Sequence, residues 1–329
     1  MQNLKINLVK RPNIKITADI FETVTVETKE LGENQFLVKQ THMSLDPAMR
    51  GWMEPDTTSY IPPVNLGDAM RSSGVGKVIE SNNPDFPVGT QVAGMFCWQQ
   101  YIVCNATMAR AVPAELPAEA ILSVLALPGI TAYQGLYNVI EPKSGETIAI
   151  SGAAGSVGSL VGQLAKIEGL RTIGFAGSDG KCAWLKEIGF DEAINYHSDN
   201  LEELVASAAP DGIDCYFENT GGAVQHAVYN NMNAFGRIAV CGMIGDYNTD
   251  KPSAGPNWIN IIRKRLKIQG FTMPDHQAEW PAMAMKMGGH LMQGKIQYRT
   301  HVLEGLESAI EGINLLFSGG NKGKLIVKL

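Results

Sequence analysis

Three glycines at equal steps open the chemistry of this chain. In Thr147-Ile-Ala-Ile-Ser-Gly152-Ala-Ala-Gly155-Ser-Val-Gly158 a short β-branched run stops at a glycine, two more follow three residues apart, and a helical pattern of Leu160, Val161, Leu164 and Ala165 begins at once. Such a strand–turn–helix offers bare main-chain N–H groups and the positive end of a helix dipole to a phosphate. Gly152 permits the tight turn, Gly155 lets the backbone approach the ligand, and Gly158 lets the helix pack on the strand. The spacing is GxxGxxG, not the stricter GxGxxG. The next strand, Arg171-Thr-Ile-Gly-Phe-Ala-Gly177-Ser178, ends without the acid that binds a ribose 2′-hydroxyl and has Lys181 just beyond it. A missing acid with a nearby cation suits a 2′-phosphate, so NADP is expected rather than NAD.

These residues need a scaffold, and the pattern supplies one. Strand-like runs over 147–151, 171–176, 192–196, 213–217, 237–242 and 266–271 alternate with helical stretches at the rhythm of a doubly wound parallel sheet. Tyr247 lies just past the fifth run, on the carboxyl side where open α/β sheets bind ligands. Before residue 120 the texture differs. Short runs over 36–41, 74–80, 91–96 and 100–104, punctuated by Pro62-Pro63, Asn82-Asn83-Pro84, Pro87 and Gly89, read as a β-barrel-like domain. A helix over 281–292 precedes a tail of strand, helix (306–317) and final strand (324–329), expected to return to the first domain. The division is 1–122 completed by 297–329, and 123–296.

Composition narrows the function classes. A chain of 329 residues, 45% hydrophobic, suffices for two cores, and its formal charge of −6 gives no electrostatic case for nucleic acid or an anionic membrane. No apolar run reads as approaching the roughly 20 residues that span a bilayer, and the first residues lack the pattern of a secretory signal. The five cysteines are never spaced as CxxC, so reduced thiols in a cytoplasmic protein are expected. His42 is the only histidine before residue 122, and Cys97 and Cys104 have no obvious partner ligands, so no metal is expected.

Several further runs carry a resemblance over nearly the whole chain: Ser44-Leu-Asp-Pro-Ala-Met-Arg-Gly51, Leu127-Pro-Gly-Ile-Thr-Ala-Tyr133, Gly189-Phe-Asp-Glu-Ala-Ile-Asn-Tyr196, Gly212-Ile-Asp-Cys-Tyr-Phe-Glu-Asn219-Thr-Gly-Gly222, Gly236-Arg-Ile-Ala-Val-Cys-Gly242, Tyr247-Asn248 and Gly320-Asn321-Lys-Gly-Lys324. In order and spacing the sequence resembles the zinc-free medium-chain dehydrogenase/reductases, in the branch of prostaglandin reductases, alkenal double-bond reductases and bacterial NADPH-dependent curcumin reductase. The resemblance implies a Rossmann doubly wound sheet plus a GroES-like β-barrel, with substrate in the cleft between the domains. Zinc-dependent relatives have a Gly-His-Glu run where Gly67-Asp-Ala-Met-Arg-Ser-Ser-Gly74 stands here.

What the resemblance implies can be placed residue by residue. Gly152, Gly155, Ser156, Val157 and Gly158 line the pyrophosphate. Lys181 and Tyr196 hold the 2′-phosphate, with Ser178 as a third donor. Asn219, Thr131, Cys241, Gly242, Phe271, Met273 and Asn321 complete the cofactor site. Tyr247 faces the substrate carbonyl and Tyr60 lines the substrate entrance. A phenol, with an ordinary pKa of about 10, is a neutral donor at pH 7, suited to an enone whose carbonyl oxygen gains charge on hydride transfer. The methionines Met43, Met49, Met53, Met243 and Met273 suit either an adaptable apolar cleft or the core. Three departures stand out: Ala48 replaces a family tyrosine, Glu218 the commoner Asp, and Thr220 the usual Val. The expected activity is reduction of the C=C bond of an apolar α,β-unsaturated ketone or aldehyde. A quinone oxidoreductase and a non-catalytic NADPH-binding redox sensor remain open alternatives. The sixth run would lie at a sheet edge, and a homodimer through it is expected.

Overall fold

Six parallel strands carry the glycine turn. The computed structural model describes residues 1–329, which divide into two units: Met1–Ala126 with Thr300–Leu329, and Leu127–Arg299. In the second unit the strands run in the order Glu192–Asn195, Arg171–Ala176, Thr147–Ile150, Ile213–Glu218, Met232–Val240, Lys267–Gly270, every neighbouring pair parallel. This is a doubly wound order. It reverses direction between Thr147–Ile150 and Ile213–Glu218, and ligands of such sheets bind at that switch point, outside the carboxyl ends of the strands. Thr147–Ile150 is buried at every position, as a central parallel strand must be. The helix after it, Ser156–Ile167, buries Leu160, Val161, Leu164 and Ala165. Ile173, Phe175, Tyr216 and Ile238 form the centre of the core on the other strands.

Strand ends differ from the sequence reading in ways that matter. The fifth strand is Met232–Val240, so Cys241 and Gly242 lie beyond it. Their N–H groups both donate to the Glu218 carbonyl, at 2.9 and 3.2 Å, which draws the chain out of the ladder. The sixth strand is shorter than read, Lys267–Gly270, and leaves Phe271 in the following turn.

The first unit holds an antiparallel pair, Gln2–Leu8 with Phe21–Glu27, and a seven-stranded mixed sheet. The C-terminal strand Lys324–Lys328 lies between Thr300–Glu304, to which it is parallel, and Phe36–Ser44, to which it is antiparallel. The tail helix read over 306–317 is two short helices, Ser308–Gly312 and Asn314–Ser318. Met43, Met49 and Met53 are fully buried with Trp98, Leu325 and Val327, so they belong to the core and not to an adaptable lining.

One composition-based expectation needs correction. The segment Ala118–Ile140, 23 residues with a mean hydropathy of 1.3 over its most apolar window, is by length and composition apolar enough to cross a membrane, although Ala126, with φ −98° and ψ −161°, breaks its helical backbone. Within the protein 78% of that window is buried, as in the core helix of a folded domain.

Candidate active site

The turn after Thr147–Ile150 is shaped by two glycines. Gly152 has φ +57°, and a side-chain carbon on Gly158 would lie 2.6 Å from the Gly152 carbonyl oxygen and 2.8 Å from the Ala153 Cα. A side chain at Gly152 is strained by its left-handed backbone, and one at Gly158 does not fit without moving backbone. Gly155 caps the helix Ser156–Ile167, and no side chain bonds its first turn. The leading N–H groups of a helix have no intrahelical acceptor, so those of Ser156, Val157 and Gly158 form a cradle. These residues fit the pyrophosphate of a dinucleotide.

A second group gathers at the next strand end. Tyr196 follows Glu192–Asn195 and its N–H donates to the Ala176 carbonyl at 3.1 Å. A side-chain carbon on Gly177 would stand 2.6 Å from the Tyr196 hydroxyl. The Ser178 hydroxyl accepts from the Lys181 N–H at 3.4 Å and so caps the helix Asp179–Glu187, which presents Lys181 in its first turn. Burial pushes the Tyr196 phenol up from its ordinary value, so it remains a neutral donor.

Across the switch point Asn219 faces the glycine turn. Its N–H donates to Ser151 Oγ and its Nδ2 to the Ser151 carbonyl, both at 2.7 Å. Its own carbonyl accepts from Ile244 N–H at 3.0 Å, which ties Asn219 to the turn carrying Tyr247. There the Met243 N–H donates to the Tyr247 phenol oxygen at 3.2 Å. A side-chain carbon on Gly242 would lie 3.0 Å from that oxygen. The segment beyond Tyr247 is pinned where Asp246 Oδ1 accepts from the N–H and hydroxyl of Ser253 (2.9 and 2.8 Å), and where His226 Nε2 meets the Ala254 carbonyl at 2.7 Å. A phenol is therefore held at the carboxyl end of the sheet, in a turn that Asn219 ties to the glycine-rich turn.

Comparison with known proteins agrees with this geometry. Residues 5–112 match a family described as the N-terminal domain of oxidoreductase, and residues 156–288 one described as zinc-binding dehydrogenase. Prostaglandin reductase 1 of Bos taurus is 41% identical over 94% of this chain and 93% of its own length. A 2-alkenal reductase (NADP(+)-dependent) of Nicotiana tabacum is 40% identical over 93% of this chain and 91% of its own. The crystal structure of CurA in complex with NADPH from Vibrio vulnificus superposes with a TM-score of 0.93 at 36% identity, covering 99% of this chain and 98% of that one. The chain belongs to the medium-chain dehydrogenase/reductase family.

As a medium-chain reductase it departs from the zinc-binding description of its second domain. No group of three or more His, Cys, Asp or Glu side chains is placed to hold a metal ion, so the donor set does not fit zinc. The other sequence-predicted residues fall in three places. Thr131 is buried on the helix Leu127–Tyr133, where Ile130 and Met273 share a cluster with Phe271. Burial, and then the charge of Glu218, pushes the Cys241 thiol up to about 12, so it lines the turn as a neutral group. Tyr60 (55% exposed) and Asn321, whose Nδ2 donates to the Gly323 carbonyl at 2.8 Å, belong to the unit of Met1–Ala126 and Thr300–Leu329. Sequence reasoning gave no role to Ser151 and noted Glu218 only as a departure from the commoner Asp; both are fully buried, and their contacts join the strands on either side of the switch point. The available signal was an acidic residue at the end of an otherwise apolar strand.

Proposed function

We propose that this medium-chain reductase uses NADPH to reduce the carbon–carbon double bond of α,β-unsaturated ketones and aldehydes. The carrying observation is the Tyr247 phenol held at the carboxyl end of the parallel sheet, in a turn tied through Asn219 to the glycine-rich turn, in a chain 40% identical over 93% of its length to a 2-alkenal reductase. In this reading Gly152, Gly155, Ser156, Val157 and Gly158 receive the pyrophosphate, and Ser178, Lys181 and Tyr196 the 2′-phosphate. A point-charge ammonium and a phenol suit a dianion. Thr131, Asn219, Cys241, Gly242, Phe271, Met273 and Asn321 serve the nicotinamide end, and Tyr60 the substrate entrance. Residues 123–296 form the cofactor domain; 1–122 with 297–329 form the substrate domain. The working form is a cytoplasmic homodimer.

Bound NADPH supplies the hydride for the substrate β-carbon. Tyr247 then has one task, to donate its O–H to the carbonyl oxygen as charge accumulates there. The Met243 N–H on the phenol oxygen strengthens that donor by polarising it. One pre-aimed oxyanion donor is worth roughly 3 kcal/mol in a water-poor site. The test is NADPH absorbance with a panel of simple enones. Wild-type protein consumes NADPH, and Tyr247→Phe lowers enone turnover by about 10²–10⁴-fold while quinone reduction hardly changes. Undiminished enone turnover in Tyr247→Phe sinks the role of the phenol, and no consumption with any enone sinks the reading as a whole.

A further inference from the structure

Glu218 ends a central strand as a fully buried side chain, and its two oxygens face different groups. Oε1 accepts from the Ser151 hydroxyl at 2.6 Å, the Thr220 N–H at 2.8 Å and the Gly221 N–H at 3.0 Å. Oε2 accepts from the Tyr216 hydroxyl at 2.6 Å. Tyr216 is itself fully buried and packs edge-on against Tyr229. Every one of these donors is neutral, and all four are held by backbone or buried side chains. Ser151 meanwhile accepts the Asn219 N–H at 2.7 Å, so carboxylate, hydroxyl and amide form one chain of hydrogen bonds across the switch point. The Glu218 carbonyl also holds the first two N–H groups of the turn leading to Tyr247.

We infer that Glu218, acting on Thr220 and Gly221 directly and on Asn219 through Ser151, is the positioning residue that sets the Asn219–Gly221 turn for NADPH before the cofactor arrives. Oε1 gathers this turn, while Oε2 ties the strand to the core through Tyr216. This division of labour rests on the NADPH reading of Asn219 and adds a residue that the reading does not contain. Ser151 Oγ holds the Asn219 N–H and shares Oε1 with the Thr220 and Gly221 N–H groups, so removing it takes away the Asn219 acceptor and disturbs the oxygen that gathers the turn, whereas Tyr216 bonds only Oε2 and none of the turn amides. Removing the Tyr216 hydroxyl leaves them in place.

Calorimetric titration with NADPH separates the two sides. Ser151→Ala should raise the Kd about tenfold, equivalent to about 1.4 kcal/mol, and Ser151→Thr, which keeps the hydroxyl, should recover most of the loss. Tyr216→Phe should lower Tm yet leave the Kd within about twofold, a split that a merely structural role for Glu218 does not produce. Hydrogen exchange on the wild-type protein gives a reading that needs no variant to fold. The Asn219, Thr220 and Gly221 amides should be protected to the level of the core strands before NADPH is added. Amides protected only after NADPH binds, an unchanged Kd in Ser151→Ala, or an equal loss in Tyr216→Phe would each overturn the inference. Wild-type protein that does not bind NADPH would instead overturn the cofactor reading beneath it.

Discussion

Lys181 and Tyr196 reach one corner by different routes, and that fixes what each contributes. Lys181 is carried in the first turn of Asp179–Glu187, whose N-cap Ser178 is fixed by its own hydrogen bond to the Lys181 N–H. Tyr196 arrives from the neighbouring strand, held to Ala176 through its backbone. A lysine supplies charge with little directionality; a phenol supplies direction without charge. Because burial raises the Tyr196 phenol, its donor stays protonated throughout the range in which the enzyme is assayed. In the proposed reading both groups address only the phosphate that separates NADPH from NADH. Lys181→Ala should weaken NADPH by about 10- to 150-fold, the range for hydrogen bonds to charged groups, and Tyr196→Phe by less. NADH should bind either variant as it binds wild type. Parallel titrations with the two cofactors check this, and equal losses for both would mean that these side chains support the fold and not the phosphate.

At the scale of elements, the glycine turn makes the helix Ser156–Ile167 approach the strand as closely as backbone allows. The carbon that Gly158→Ala introduces would lie 2.6 Å from the Gly152 carbonyl, with backbone on both sides. The helix start must then shift away from the turn, at about 1–3 kcal/mol for an overpacked site. NADPH affinity should fall at least tenfold together with Tm; a variant that keeps wild-type affinity would separate the cradle from the cofactor. This element was legible in the sequence because its constraint is local: a strand, three glycines and a helical pattern within a dozen residues. The six-strand alternation was legible for the same reason. The Ser151–Glu218–Asn219 connection was not, since it exists only once Phe217 pairs with Ile150 across the sheet. The end of the fifth strand was misplaced because Val240, Cys241 and Gly242 continue its apolar run, whereas the Glu218 carbonyl diverts their backbone. The strand Phe21–Glu27 escaped notice because only Phe21 is buried along it, which leaves almost no alternating pattern to read.

At the scale of the whole molecule, the parallel sheet ends in an edge that a lone chain would be ill-advised to expose. Lys267–Gly270 pairs with Met232–Val240 on one side only, and unpaired strand edges are usually covered or paired. Nearby, Ile262 is 73% exposed and Trp258 63%, at a helix that packs against Met232–Val240. Apolar side chains beside an open edge favour an occupant that brings both hydrogen bonds and an apolar face. A second copy meets both needs, because a two-fold axis sets the edge antiparallel to itself and buries the same residues on each side. Wild-type protein should therefore have twice the 35.5 kDa mass of one chain in light scattering. The double change Trp258→Glu with Ile262→Glu should return it to the single-chain mass, since burying unpaired carboxylates in that contact is costly. A wild type that is monomeric at micromolar concentration, or a double variant that keeps twice the mass, removes this interface. The glycine cradle, the Ser178–Lys181–Tyr196 corner and Tyr247 all lie within Leu127–Arg299 of one chain. The single-chain variant should thus retain its NADPH affinity, and if affinity falls along with mass, the partner copy must be supporting the site.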